Sequence, residues 1–130
     1  MKVMISIPMN GRNESEVKEQ KRKIKEAFAK LHIEVVNSIF MEEVEGYNHP
    51  ALYYIAKSID VMGKVDAVYF TKDWREARGC KIERQICEAY GVKILEYDFL
   101  DEFKEESVSY RDYLASKLVK DFENESIIPE

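Results

Sequence analysis

The sequence predicts a three-layer α/β fold, a parallel sheet of four to five strands with helices on both faces. Three observations point there. Short runs rich in Val, Ile, Tyr and Phe alternate along the chain with longer segments of helical period. The stretch 65–95, VDAVYFTKDWREARGCKIERQICEAYGVKIL, reads by itself as a strand, a polar loop, a helix and a second strand, which is a βαβ unit. At 130 residues the chain is long enough for one domain with a real core and short for two. Parallel strands joined by right-handed crossovers then give a sheet buried on both sides. The domain is expected over 1–122, with a frayed or partner-bound tail at 123–130.

Residues 3–7 (VMISI) form the first strand, halted by Pro8. Met9, Asn10, Gly11, Arg12 and Asn13 follow as a loop, and Asn13 with Glu16 suits a capping box. The next helix is expected over about 14–31, with Val17, Ile24, Phe28 and Leu31 on one stripe. The charge-dense run 18–25 reads as its solvated face. Residues 33–36 are the second strand. An acidic connection over 40–48, with Glu42, Glu43 and Glu45, leads to Pro50, which fits the first position of a helix ending near Gly63. Ala51, Leu52, Ile55, Ala56, Ile59 and Met62 are expected on its buried face. His32 and His49 fall at helix ends and read as cap or surface residues.

The third strand is 65–70, the loop 71–78, the third helix 79–90 and the fourth strand 92–95. Gly91 suits the left-handed position that closes the helix. The segment from Glu96 to Glu106 reads as irregular. Ser109 and Asp112 suit a cap for a last helix over about 110–122, with Tyr113, Leu114, Leu118 and Phe122 inward.

Composition narrows the class. An apolar share of 45% with 35% charged residues is that of an ordinary globular domain. A formal charge of −5 with no basic tract argues against binding to nucleic-acid polymers. Met1 and Lys2 run straight into the first strand, so no signal peptide is expected, and no run approaches membrane-spanning length. Cys80 and Cys87 lie about 10 Å apart along one helix, too far for a disulfide. They read as reduced core residues of a cytoplasmic protein. The sequence predicts neither a metal site nor another cofactor.

On a helical wheel of the third helix, Gly79, Cys80, Ile82, Ile86, Cys87, Ala89 and Tyr90 share one side, and Lys81, Arg84, Gln85 and Glu88 the other. Glu83 breaks the pattern by falling among the apolar residues, about a turn from the helix start. Apolar neighbours raise a carboxylate's pKa, whereas a helix start and arginines lower it. A nucleophile or base in a dry pocket needs that balance. The plainer reading is a rim glutamate paired with Arg78.

In a parallel sheet, ligands bind beyond the carboxyl ends of the strands, at the switch in strand order. Three stretches meet there: 8–13, 71–78 and 97–98. They collect Arg12, Lys72, Arg75 and Arg78. Arginine forks match phosphate oxygens, and Arg12 and Arg78 are read as phosphate holders. Lys72 and Arg75 are expected to pair with Asp73 and Glu76. Trp74 either stacks on a base, fills a dimer contact or lids the core. Tyr47, Tyr53 and Tyr54 reach toward the same pocket, with core packing the default for Tyr54. The single glycine of Asn10-Gly11-Arg12 is too little for a nucleotide-binding signature.

The segments Ile5-Ser6-Ile7-Pro8-Met9-Asn10-Gly11 and Asp66-Ala67-Val68-Tyr69-Phe70…Trp74…Arg78-Gly79-Cys80-Lys81-Ile82-Glu83…Ala89-Tyr90-Gly91 resemble the nucleoside 2-deoxyribosyltransferase-like superfamily, in particular an uncharacterised branch of small bacterial and phage proteins. The resemblance covers roughly 3–95. It implies a flavodoxin-like, Rossmann-like sheet, a homo-oligomer (dimer or tetramer) with active sites shared between subunits, and chemistry at an N-glycosidic bond. It gives Glu83 the nucleophile role, with Met9, Asn10, Gly11, Arg12, Trp74, Arg78, Gly79 and Asp98 around the substrate. The superfamily's aspartate before the glycine is here Glu76-Ala77-Arg78, and its threonine is Cys80. Asp73 or Glu76 is then the substitute acid, with Asp98 at the ribose or acting from the next strand.

The expected function is hydrolysis of the N-glycosidic bond of a nucleoside 5′-monophosphate, or deoxyribosyl transfer from a nucleoside. The alternative is a binding protein of the same fold that senses or sequesters a nucleotide, and a third option is an oligomer assembled through the Trp74 loop and the tail.

Overall fold

The computed structural model describes residues 1–36 and 44–103. Four strands, β1 (Lys2–Ser6), β2 (Glu34–Val36), β3 (Ala67–Phe70) and β4 (Lys93–Leu95), alternate with α1 (Glu14–Ala29), α2 (Pro50–Met62) and α3 (Arg78–Tyr90). Two short 3-10 helices, Trp74–Glu76 and Tyr97–Phe103, follow β3 and β4. All strand pairs are parallel, in the order β2-β1-β3-β4. The expected layered α/β fold is present.

The two-residue period of β1 and β3 divides the core into two layers. Val3 and Ile5 with Ala67 and Tyr69 face α1, where Val17, Phe28 and Leu31 complete one cluster. Phe28 meets Tyr69 edge-on at 5.3 Å and stacks on Phe99 at 6.1 Å. Met4, Val68 and Phe70 face the other side, against Val61 and Met62 of α2 and Cys87 of α3. Helices therefore cover both faces, and the strand order reverses between β1 and β3, the place beyond whose carboxyl ends ligands sit in parallel sheets.

Local chemistry sets the ends of the helices. Asn13 caps α1 by accepting from the Ser15 N–H at 2.8 Å. Pro50 opens α2, where its missing N–H has no helical partner to lose. Gly91 closes α3 in the left-handed conformation, φ 69°. The segment read as irregular after β4 is instead helical over Tyr97–Phe103, because Phe99 and Leu100 bury against the α1 cluster. The remaining element boundaries fall within two residues of expectation. The last predicted helix, Glu42, Glu43 and the tail lie outside the described residues.

Two helix faces differ from expectation. On α2 the buried residues are Val61 and Met62, while Leu52 is 61% and Ile59 42% exposed, and Ala51 and Ala56 are exposed too. On α3 Tyr90 is 75% exposed and Ala89 is exposed, whereas Cys80, Glu83 and Cys87 form the buried line. Arg84, placed on the solvent side by the wheel, is largely covered. Its guanidinium lies 4.4 Å from the Trp74 ring and 5.2 Å from Phe70, and it pairs with Glu96. Apolarity alone misplaced the packed face by a fraction of a turn, because arginine's flat cation covers aromatic rings as an apolar side chain would.

Candidate functional site

β1 ends with Ser6, whose register partner on β3 is Phe70, and Thr71 donates its N–H to the Ser6 carbonyl at 3.3 Å. Ser6 is an even position of β1, so its side chain turns toward α3. There its hydroxyl donates to Glu83 Oε1 at 2.9 Å. Glu83 is 7% exposed and belongs to the buried line of α3. Pairing with Arg78 does not occur: Arg78 is exposed at the first position of α3 and has no partner among the described residues.

Glu83 is the sixth residue of α3, in its second turn. The field of a helix start fades beyond the first turn, so that field contributes little here. Burial pushes the Glu83 carboxyl above its ordinary range, and hydrogen bonds from Ser6 and Ser58 and the charge of Lys21 pull it partly back. Lys21 comes from α1, Ser58 from α2 and Ser6 from β1, so three elements besides α3 converge on one carboxylate.

Lys21 belongs to the charge-dense run expected on the solvated face of α1, and it does not lie in solvent. The residue is largely covered, and its ammonium is pushed down to about 8, first by burial, with Glu83 and Cys80 opposing the shift. The sequence does carry a sign of it. Lys21 stands at i+4 from Val17 and i−3 from Ile24, on the stripe that packs against the sheet. Cys80 is buried beside Glu83, its thiol in hydrogen-bonding reach of Ser6 and pushed up to about 11, mainly by burial. Every fully buried side-chain nitrogen or oxygen among the described residues has a hydrogen-bond partner.

The loops over this cluster contain the other expected residues. Met9 packs on the α1 cluster, while Asn10 and Gly11 are exposed; Gly11 turns the chain at φ 71°. Arg12 is partly buried and committed to the loop: it donates to the Pro8 carbonyl at 3.0 Å and to Gln20 Oε1 at 2.7 Å. Gly79 faces α2, where a Cβ would lie 3.5 Å from Ile55 Cδ1. Asp73 accepts from the Thr71 hydroxyl at 2.8 Å and acts electrostatically on Cys80. Glu76 is exposed. The expected partners Asp73 and Glu76 are not those of the loop cations. Arg75 lies 4.8 Å from the Trp74 ring and Lys72 5.9 Å from the Tyr97 ring. Trp74 meets Phe70 edge-on at 6.1 Å, the contact of a cover on the core. Asp98 is exposed beside Tyr69, whose side chain faces α1 and whose hydroxyl, donating to the Tyr97 carbonyl at 2.9 Å, is pushed up to about 12 by burial and by Asp101 and Asp98. Tyr47 is exposed, in edge contact with Tyr53.

The arrangement is a desolvated carboxylate held by two hydroxyls, with one covered ammonium nearby, at the end of a parallel sheet. Such a group attacks an electrophilic carbon or takes a proton. No cluster of three or more His, Cys, Asp or Glu suited to a metal ion occurs among the described residues, and no helix among them is long and apolar enough to cross a membrane. The family described as "Domain of unknown function (DUF4406)" matches residues 1–96. No curated protein and no solved structure matches the chain.

Proposed function

The chain belongs to the DUF4406 family, and we propose from that premise that the β1–β3 crevice binds a nucleoside 5′-monophosphate and that Glu83 attacks its anomeric carbon. The reading extends the resemblance to nucleoside 2-deoxyribosyltransferases. One observation carries it: a carboxylate that is 7% exposed, fixed by Ser6 at 2.9 Å, at the ligand-binding end of a parallel sheet. A structural glutamate has no need of that burial, which costs several kcal/mol before its partners compensate.

In the reaction, Glu83 displaces the base from C1′ through an oxocarbenium-like transition state, and water then hydrolyses the glycosyl-enzyme ester. A second nucleoside base in place of water makes the same intermediate a transferase. Arg78, exposed at the crevice, holds the 5′-phosphate; Arg12 shapes the loop beneath it. The protein works as a homo-oligomer, a dimer or tetramer with subunit-shared sites, and the exposed Leu52, Ile59 and Tyr90 supply apolar surface for that contact.

The test is release of free base from a panel of nucleosides and nucleoside monophosphates, followed by chromatography. Wild type releases base, and Glu83→Gln does not. No release from any member, with monophosphate still bound by calorimetry, selects the second reading, a nucleotide sensor or sequestering protein. One observation favours that alternative: Glu83 is the only buried carboxylate among the described residues, and Asp73 is engaged by Thr71.

A further inference from the structure

The outer sides of the two helical layers differ in kind. α1 covers its solvent side with ion pairs, Lys18 to Glu14 and Arg22 to Glu19 and Glu26. The charged residues of α2 are Lys57 and Asp60. At 100° per residue its apolar arc, interrupted by Ser58, runs from Val61 round to Ala56 over about 220°. Val61 and Met62 meet the sheet, whereas Leu52 is 61% exposed, Ile59 is 42% exposed and Ala56 is exposed between them. A helix that is apolar on two sides is one that is covered on both. The outer stripe continues on α3. Ile55 of α2 lies against Gly79, where a Cβ would sit 3.5 Å from the Ile55 Cδ1. Ile82, Ile86 and Tyr90 follow Gly79 at i+3, i+7 and i+11, on the same side of α3. The first two are partly covered, and Tyr90 is 75% exposed. The two stripes make one apolar face across α2 and α3.

We propose that this face is an isologous interface, on which the α2–α3 pair of a second copy of the chain lies to make a four-helix layer between two sheets. The inference rests on the homo-oligomer part of the reading above and names its surface; the glycosidic chemistry does not enter it. Three observations select a second copy as the occupant. The described chain ends on the other side of the sheet, because Phe99 and Leu100 of the helix over Tyr97–Phe103 pack into the α1 cluster. The charges around the face have both signs, Lys57 and Asp60 on α2 and Lys81 and Glu88 on α3, all exposed. A two-fold operation lets such a rim meet itself with opposite charges opposed, whereas a membrane surface is met by a rim of lysine and arginine. The stripe also carries both halves of a fit. Ala56 leaves a hollow between Leu52 and Ile59, one turn to either side, and that hollow takes a large side chain of the same stripe from a facing helix.

The experiment follows the mass of the full chain by sedimentation equilibrium for wild type, the double variant Leu52→Glu/Ile59→Glu, and the control Lys23→Glu, which changes the charge equally on the exposed side of α1. Wild type and control should associate alike. The double variant should associate about 100-fold more weakly, since it places carboxylates in the centre of the contact, and should keep the circular dichroism spectrum of the folded chain. Association of the double variant at wild-type strength overturns the surface and leaves the homo-oligomer reading intact. A monomeric wild type, whichever segment of the same chain then lies on the face, overturns both. A second readout does not depend on how the double variant folds. Cys80 and Cys87 are buried, so in Ala56→Cys the new thiol is the reactive one among the described residues. Its alkylation should slow about 10-fold as the protein concentration is raised through the association range, and a rate independent of concentration overturns the interface.

Discussion

Replacing Lys21 by methionine should stabilise the fold. Burial brings the ammonium from 10.5 to about 8, even with Glu83 and Cys80 opposing the shift. That drop corresponds to about 3 kcal/mol lost from the folded state at neutral pH. The folded value lies below the unfolded one, so the penalty is complete below about 8 and fades as pH rises toward 10.5. Methionine keeps the volume on the Val17–Ile24–Phe28 stripe without the charge. Glu83 opposes the gain, since it loses its counter-charge and its raised pKa rises further. A carboxylate raised in this way contributes stability below its unfolded value of 4.5, and the contribution is lost as pH rises through the folded value. The advantage of Lys21→Met is therefore largest near pH 5, approaches about 3 kcal/mol there, and shrinks as pH rises. Urea unfolding from pH 5 to 9 reads it directly as an upward shift of the midpoint by roughly 1–2 M at the acid end. Adding Glu83→Gln should flatten the part of the dependence that sets in above 4.5 and leave the part above about 8. A Lys21→Met protein less stable than wild type by more than about 1 kcal/mol at pH 5, or a difference that does not vary with pH, would refute the burial penalty on the ammonium.

Three other outcomes follow from the packing. Ser6→Ala removes a hydroxyl from a buried carboxylate; it should cost about 1–2 kcal/mol in chemical denaturation and move the Glu83 titration upward by NMR. Gly91→Ala forces a Cβ into a left-handed residue, φ 69°, and should cost about 1 kcal/mol, read as a lower thermal midpoint with an unchanged circular dichroism spectrum. Burial pushes Cys80 to about 11 and Cys87 to about 12; both thiols should react with a disulfide reagent at pH 8 only at the rate of unfolding, and rapid labelling of the native protein would contradict their burial.

The placement of the carboxylate was legible because Glu83 interrupts an apolar period, and a charge on a packed face stands out against its neighbours. The direction of the α3 face was less so. Tyr90 reads as core and is exposed, while Arg84 reads as solvated and covers Trp74 and Phe70. On α2, Leu52 and Ile59 have the spacing of a buried stripe yet face outward, because Val61 and Met62 meet the sheet. Helical period locates a stripe but does not say which of two apolar sides meets the sheet.

By itself the sequence determined the order of elements, the parallel sheet with helices on both faces and the caps at Asn13, Pro50 and Gly91, and it left Glu83 open between a packed carboxylate and a rim residue paired with Arg78. Those follow from local chemistry and from periods of 2 and 3.6 residues, which the chain carries without reference to distant parts. Only the tertiary structure decided what surrounds the carboxylate. Ser6, Lys21, Ser58 and Cys80 come from four elements, and no spacing along the chain states that they meet. Their convergence is a product of the crossover that sets β1 beside β3 and brings α1 and α3 to the same end of the sheet from opposite faces.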